Sequence, residues 1–222
     1  MKKGLVVVGI LSFLLAGCST TGSSAKETDP EVQEISVSLP AELTTLDTTQ
    51  TTDKVTFTVI QHLFEGSYRF DEKSQPVPGL VEEAVISEDG KTYTFKLKEE
   101  AKWSDGQQVQ AADFAYAWKK LVDPKTMGPN AYLLDNVVNS QDIREGKADI
   151  ATIGLETPDE KTFVVHLEQL QPSFLSVVSI GRLAPQRQSY VEEKGTAYGK
   201  TSEDLLYTGP FILKDWQQTG AE

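Results

Sequence analysis

A mixed α/β fold is predicted for this 222-residue chain by three observations: short runs that alternate apolar and polar residues, longer runs whose apolar residues recur every three or four positions, and turn dipeptides between them. Glu34 to Leu39 alternates, with Ile35, Val37 and Leu39 on one side and Ser36 and Ser38 on the other, and ends at Pro40, which predicts a first strand. Thr51 to Phe64 then reads as a helix. Asp53 is placed to cap it, and Val55, Val59, Ile60, Leu63 and Phe64 form one apolar face, although its threonines make it weak by intrinsic propensity. Asp89-Gly90 lies between Ala84-Val85-Ile86 and the alternating run from Thr92 to Leu97, the signal of a hairpin. Ala111 to Val122 is helical, with Phe114, Ala115, Trp118, Leu121 and Val122 at three- and four-residue steps, and Asp123-Pro124 stops it. Further helices are expected over Ser140 to Gly146 and Ser173 to Ile180, and Gly209 to Lys214 reads as a last strand. The run from Asp89 to Leu97 returns at Asp159 to Leu167 with its Asp, Lys-Thr, aromatic and Leu positions kept. Two copies are too few for a solenoid, so they read as two hairpins facing one core.

Composition narrows the function. Lys+Arg 21 against Asp+Glu 33 gives a formal net charge of −12, which opposes a nucleic-acid partner because that affinity comes largely from basic side chains displacing counterions. The single cysteine excludes an intrachain disulfide, and His62 and His166 stand too far apart in sequence for a short-spaced metal cluster, so neither metal nor cofactor is expected. An enzyme is not expected either. There is no Gly-x-Ser-x-Gly elbow and no phosphate-binding glycine loop, the carboxylates are scattered, His166 alternates outward from Val165 and Leu167, and His62 reads as an ordinary helix residue. Trp103 is either a stacking platform or a core aromatic beside the Asp105-Gly106 turn, with the core reading preferred; Trp118 belongs to an apolar helix face, and Trp216 fits either role.

The N-terminus predicts export. Lys2 and Lys3 precede an apolar run from Leu5 to Ala16, too short to span a bilayer comfortably but suited to a signal peptide over 1–17, so the mature chain is expected to lack a transmembrane helix. Leu15-Ala16-Gly17-Cys18 resembles the bacterial lipobox, in which the Cys18 thiol takes a diacylglyceryl group and becomes the new N-terminus; the competing readings are a buried apolar Cys18 and ordinary signal cleavage. Two or more acyl chains, palmitate included, suffice for stable anchoring, and residues 18–30, rich in Ser, Thr and Gly, then form a tether. The product is expected at the cell membrane on its extracytoplasmic face, held by lipid alone.

Several strings recur in one order: Thr45-Leu46-Asp47, Leu63-Phe64-Glu65-Gly66, Pro78-Gly79-Leu80, Ser87 to Phe95, Ala101-Lys102-Trp103-Ser104-Asp105-Gly106, Ala112-Asp113-Phe114 and Thr208-Gly209-Pro210-Phe211. Together they resemble the extracellular solute-binding lipoproteins of peptide ABC importers, family 5, of the oligopeptide-binding type. One departure is Thr48, where that family commonly has Pro after Leu-Asp. The resemblance implies a periplasmic-binding-protein-like fold of type II, cluster C, with two lobes. Residues 31–64 and 185–222 would form part of the first lobe, residues 65–184 an inserted α/β domain, and the second lobe would be absent, since relatives run to more than twice this length; the chain is therefore expected to be the N-terminal portion only, either a fragment or the product of a truncated gene. The function implied is capture of extracellular oligopeptides through main-chain contacts, by a monomer that serves the permease subunits of an ABC importer. Thr52, Asp53 and Lys54 map onto the family's ligand-contacting edge. They also read as a helix N-terminus capped by Asp53, and both roles can hold. The alternatives are a receptor for a signalling peptide, nickel, haem or a sugar on the same fold, or a truncated surface lipoprotein with no part in transport. One lobe alone is expected to bind peptide weakly or not at all, and to expose apolar sheet edges.

Overall fold

The computed structural model describes residues 34–216, and the chain divides into two units, 1–38 and 39–222. Of the first unit only residues 34–38 are described; the expected signal peptide (1–17), Cys18 and the whole of the expected tether (18–30) lie outside the described residues. Residues 34–38 carry no strand, and Ile35 and Val37 are 64% and 70% exposed, which corrects the strand expected there. Alternation makes a strand only where the backbone finds a ladder partner, and none of the described strands pairs with this segment.

In the second unit, helix α1 (Lys54–Leu63) starts where Asp53, at φ −89° and ψ 152°, accepts a hydrogen bond from the Thr56 N–H at 2.8 Å. Thr56, Ile60 and Leu63 form its buried face. The cap offsets the helix's poor intrinsic propensity by satisfying one of the first-turn donors. A short hairpin follows, β1 (Tyr68–Phe70) and β2 (Pro76–Pro78), with Tyr68 opposite Pro78. Its turn is made by Asp71, whose Oδ1 accepts from the N–H groups of Lys73 and Gln75, each at 2.8 Å.

The main sheet has strands β3 (Val85–Ile86), β4 (Thr92–Lys96), β5 (Leu155–Asp159) and β6 (Thr162–His166) in the order β3-β4-β6-β5, all antiparallel. The two similar runs are thus the two inner strands of one sheet, paired so that Phe95 lies opposite Phe163. Period-two alternation sends Tyr93, Phe95, Phe163 and Val165 to the buried side. Helix α2 (Ala111–Val122) lies on that side, and Phe163 stacks on Phe95 and on Phe114, both at 4.7 Å between ring centres, with Trp118 edge-on at 6.1 Å. Helix α2 spans the residues its periodicity predicts. Helices α3 (Ser140–Arg144) and α4 (Phe174–Val178) form at the predicted places but are shorter, while α5 (Gln188–Lys194) had no clear sequence signal.

Buried apolar residues form two clusters. One runs from Tyr68 to Leu183 with Leu206; the other joins Leu43, Leu46, the α1 residues Ile60 and Leu63, and Phe64 just after them to Ala184, Val191, Tyr198, Leu205 and Tyr207. The chain leaves the second cluster after Phe64 and returns at Ala184, and the two crossings are neighbours: a Cβ on Gly66 would lie 3.5 Å from the Val178 carbonyl oxygen, and one on Gly181 would lie 3.2 Å from Ile60 Cγ2. Gly209 closes onto the end of α1, donating to the Leu63 carbonyl at 2.9 Å, so near that a Cβ there would meet the Leu63 carbonyl carbon at 2.6 Å. Beyond it the strand expected over Gly209–Lys214 does not form. Pro210 has no N–H to donate, and Gly209 and Phe211 bond to the end of a helix rather than to a strand. Trp103 and Trp118 are core residues, 3% and 1% exposed, donating through Nε1 to Asp113 Oδ2 and to the Leu183 carbonyl; Trp216 is half-buried against the second cluster.

Candidate functional site

The segment before α1 is bolted down on one side. Leu43 and Leu46 anchor it in the second cluster. Between them and the helix, Asp47 is a hub: Oδ1 accepts from the Thr49 N–H at 3.0 Å, the Thr49 hydroxyl at 2.7 Å and Gln186 Nε2 at 2.9 Å, while Oδ2 takes the Lys120 ammonium at 2.9 Å. Lys120 also donates to Gln186 Oε1 at 3.0 Å, and Gln186 donates to the Thr48 hydroxyl at 2.9 Å. Thr48, where the resemblance implied Pro, is therefore itself used by the network. Thr51 continues the fastening, its hydroxyl donating to the carbonyls of Thr45 (2.8 Å) and Asp47 (3.0 Å) and its own carbonyl accepting from Asn130 Nδ2 at 2.6 Å.

The next three residues differ. Thr52 and Lys54 are exposed, and among the described residues the N–H groups of Thr52 and Lys54 and the carbonyl of Thr52 meet no hydrogen-bond partner in the protein, whereas the Asp53 N–H faces its own carboxylate. Asp53 has extended backbone, and its carboxylate faces inward, capping Thr56 and accepting from the Thr44 hydroxyl at 2.8 Å. Burial pushes that carboxyl up, but the hydrogen bonds from Thr56 and Thr44 outweigh it and hold the group below the usual range. The three predicted residues thus lie at the entry to α1, with unpaired main-chain groups on Thr52 and Lys54 and a half-buried Asp53 whose carbonyl accepts from the Phe57 N–H.

Aromatic and basic groups flank the edge. Phe57 lies one turn into α1, its N–H bonded to the Asp53 carbonyl at 3.2 Å, and the Arg182 guanidinium sits over its ring at 3.1 Å from the ring centre. Tyr132, two residues after Asn130, is 53% exposed, and Met127, in the loop whose Thr126 carbonyl accepts from Gln50, is 81% exposed. Sequence reasoning missed Lys120, Gln186, Asn130 and Arg182. A lysine within an amphipathic helix and lone polar residues in loops give no one-dimensional sign that they converge on a segment more than seventy positions away.

Neither histidine joins the edge. His62 bonds the Thr58 carbonyl at 2.7 Å, and His166 bonds Glu156 at 2.9 Å and Thr92 at 3.2 Å. Among the described residues no group of three or more His, Cys, Asp or Glu side chains stands ready to hold a metal ion, and no helix is long and apolar enough to cross a membrane.

Comparison with known proteins decides the family. The model of the bacterial extracellular solute-binding proteins, family 5 Middle, matches residues 75–221. The chain belongs to the family 5 solute-binding proteins. The dipeptide-binding protein of Lactococcus lactis is 35% identical over 208 residues, covering 94% of this chain and 36% of its own. The periplasmic oligopeptide-binding protein OppA of Salmonella typhimurium is 32% identical over 219 residues, covering 97% of this chain and 40% of its own. The structure of Listeria monocytogenes OppA bound to peptide superposes with a TM-score of 0.77 at 36% identity, over 79% of this chain and 35% of that one. The chain therefore spans little more than a third of the length of the relatives it matches, and its architecture is part of their α/β fold.

Proposed function

We propose that this chain supplies one side of an oligopeptide receptor for an ABC importer, and that Thr52, Asp53 and Lys54 hold the ligand through main-chain hydrogen bonds. The observation that carries the reading is the main chain entering α1, with exposed, unpaired N–H groups on Thr52 and Lys54 and an unpaired Thr52 carbonyl, in a chain of a family whose relatives include peptide-binding proteins. Peptides of any sequence share their amide groups, so adding the ligand as a strand gives affinity without choosing among side chains. In this reading residues 31–64 and 185–222 belong to one lobe and 65–184 to a domain inserted in it, a division supported by the two apolar clusters. A second lobe closes on the ligand from the other side. Cys18 carries the lipid that keeps the receptor, as a monomer, on the extracytoplasmic face of the cell membrane beside the permease subunits.

Calorimetric titration of the protein from the whole reading frame tests this, using tripeptides and their analogues in which one amide is replaced by an ester. Binding of the peptides, with a loss of about 2- to 13-fold on ester substitution at a contacting position, is expected, since one hydrogen bond contributes about 0.5–1.5 kcal/mol. Equal affinity for every ester analogue would rule out main-chain recognition, and heat from a non-peptide solute alone would rule out the peptide reading. Labelling with radioactive palmitate, lost on Cys18→Ser, tests the anchor.

A further inference from the structure

Arg182 differs from the other arginines of the second unit. Arg69 holds Glu65 at 3.2 Å, Arg187 holds Asp105 at 2.6 Å, and Arg144 holds Asp135, but among the described residues no carboxylate pairs with Arg182. That is unexpected in a chain with Asp+Glu 33 against Lys+Arg 21, where acidic partners are plentiful. The guanidinium is nonetheless held in place. One face lies on the Phe57 ring, the Tyr132 hydroxyl stands beside it, and its Nε–H is buried with no acceptor. Stacking fixes the plane of the group and, beyond its hydrogen bond to the Tyr132 hydroxyl, leaves in-plane donors for a partner, and a planar fork of donors matches a carboxylate in bidentate geometry.

The position gives that partner an address. Phe57 is tied to Asp53 through its N–H, and Tyr132 lies two residues from Asn130, which bonds the Thr51 carbonyl. Of the two groups that hold Arg182, Phe57 is thus bonded to Asp53 within the stretch, and Tyr132 stands two residues from the Asn130 that bonds Thr51, the residue just before it. We propose that Arg182 is a specificity-determining residue that binds a carboxylate of the ligand lying along this edge. The proposal deepens the peptide reading and rests on it for the identity of the ligand. An acidic side chain and a peptide C-terminus offer the same chemistry, and the test separates them.

Full-length protein is titrated with Ala-Glu-Ala and Ala-Gln-Ala, each with a free and an amidated C-terminus, and the Arg182 Nε–H resonance is followed in separate titrations with sodium acetate. Arg182 is assigned by its loss in Arg182→Lys. If Arg182 takes an acidic side chain, Gln for Glu weakens binding at least about tenfold; if it takes the C-terminus, amidation does so, because hydrogen bonds to charged groups exceed neutral ones. In Arg182→Met the affected pair of peptides binds equally. The proposal is overturned if wild-type protein binds all four peptides alike, or if the preference survives in Arg182→Met. If no peptide binds, the peptide reading fails, and acetate judges Arg182 alone: a saturable shift of its Nε–H supports an anion receptor, and an unmoved resonance overturns it.

Discussion

Lys54→Pro separates the ligand-contacting role of the edge from its role as a helix start. Lys54 is the first residue of α1, its N–H has no partner among the described residues, and Asp53 before it stands at φ −89° and ψ 152°, where a residue preceding Pro is comfortable. Proline is well tolerated at that first helical position because its missing donor was unpaired and its fixed φ suits the helix. Stability is therefore expected to hold, or to rise by up to about 1 kcal/mol through the stiffer unfolded chain. A ligand carbonyl that accepts from Lys54 loses that bond, which at about 0.5–1.5 kcal/mol weakens peptide binding about 2- to 13-fold. Lys54→Ala is the control, since it removes the ammonium and keeps the N–H. Calorimetric titration and thermal melts on the three proteins give both quantities. Equal affinity of Lys54→Pro and Lys54→Ala, with melting unchanged, would show that this N–H does not touch the ligand.

Three other expectations concern the frame that holds the edge. Asp47→Ala strips Lys120, Gln186 and Thr49 of a shared, largely buried acceptor and should destabilise by about 3–5 kcal/mol in denaturant titration, with Asp47→Asn losing less; a change below about 1 kcal/mol would mean the network relaxes around the loss. Phe163→Ala removes the ring that stacks on both Phe95 and Phe114 and should cost about 3–5 kcal/mol, lowering the melting temperature by about 6–20 °C; a much smaller shift in calorimetry would place the core elsewhere. Tyr207 is buried, which pushes its phenol up to about 12. The folded state therefore keeps a proton that the unfolded state gives up at a lower pH, so the stabilisation is complete below pH ~10 and is lost as pH rises through about 12. Tyr207→Phe should flatten the alkaline loss of stability seen in urea titrations across that range, and an unchanged slope would contradict the assignment.

The sequence was most legible where pattern is local. Asp89-Gly90 and Asp159 to Lys161 mark tight turns, and the alternation that follows each fixes which residues face inward, so the inner strands of the sheet could be read directly. Helix α2 was equally plain because its apolar spacing is sustained and Asp123-Pro124 ends it. The failures at Glu34–Leu39 and Gly209–Lys214 share a cause: alternation describes a strand's faces but says nothing of whether a neighbour exists to complete its ladder. Hairpin β1–β2 was missed because two of the three residues of β2 are proline, which argues against a strand except at an edge. At the candidate site, Asp53 was readable as a cap from its position alone, and the family motif set placed Thr52 and Lys54 beside it. Arg182, Asn130 and the Asp47 hub were not, because they are assembled by folds of the chain that bring distant segments together.

The adjacent crossings at Gly66 and Gly181 have a consequence for how such proteins can vary. The stretch between them begins and ends at nearly the same point and holds most of the first apolar cluster, and it is also fastened to the segment before α1 through Lys120–Asp47 and Asn130–Thr51. A replacement of that stretch would therefore need, besides ends that meet, a cation for Asp47 and a donor for the Thr51 carbonyl, or it would leave largely buried acceptors without partners.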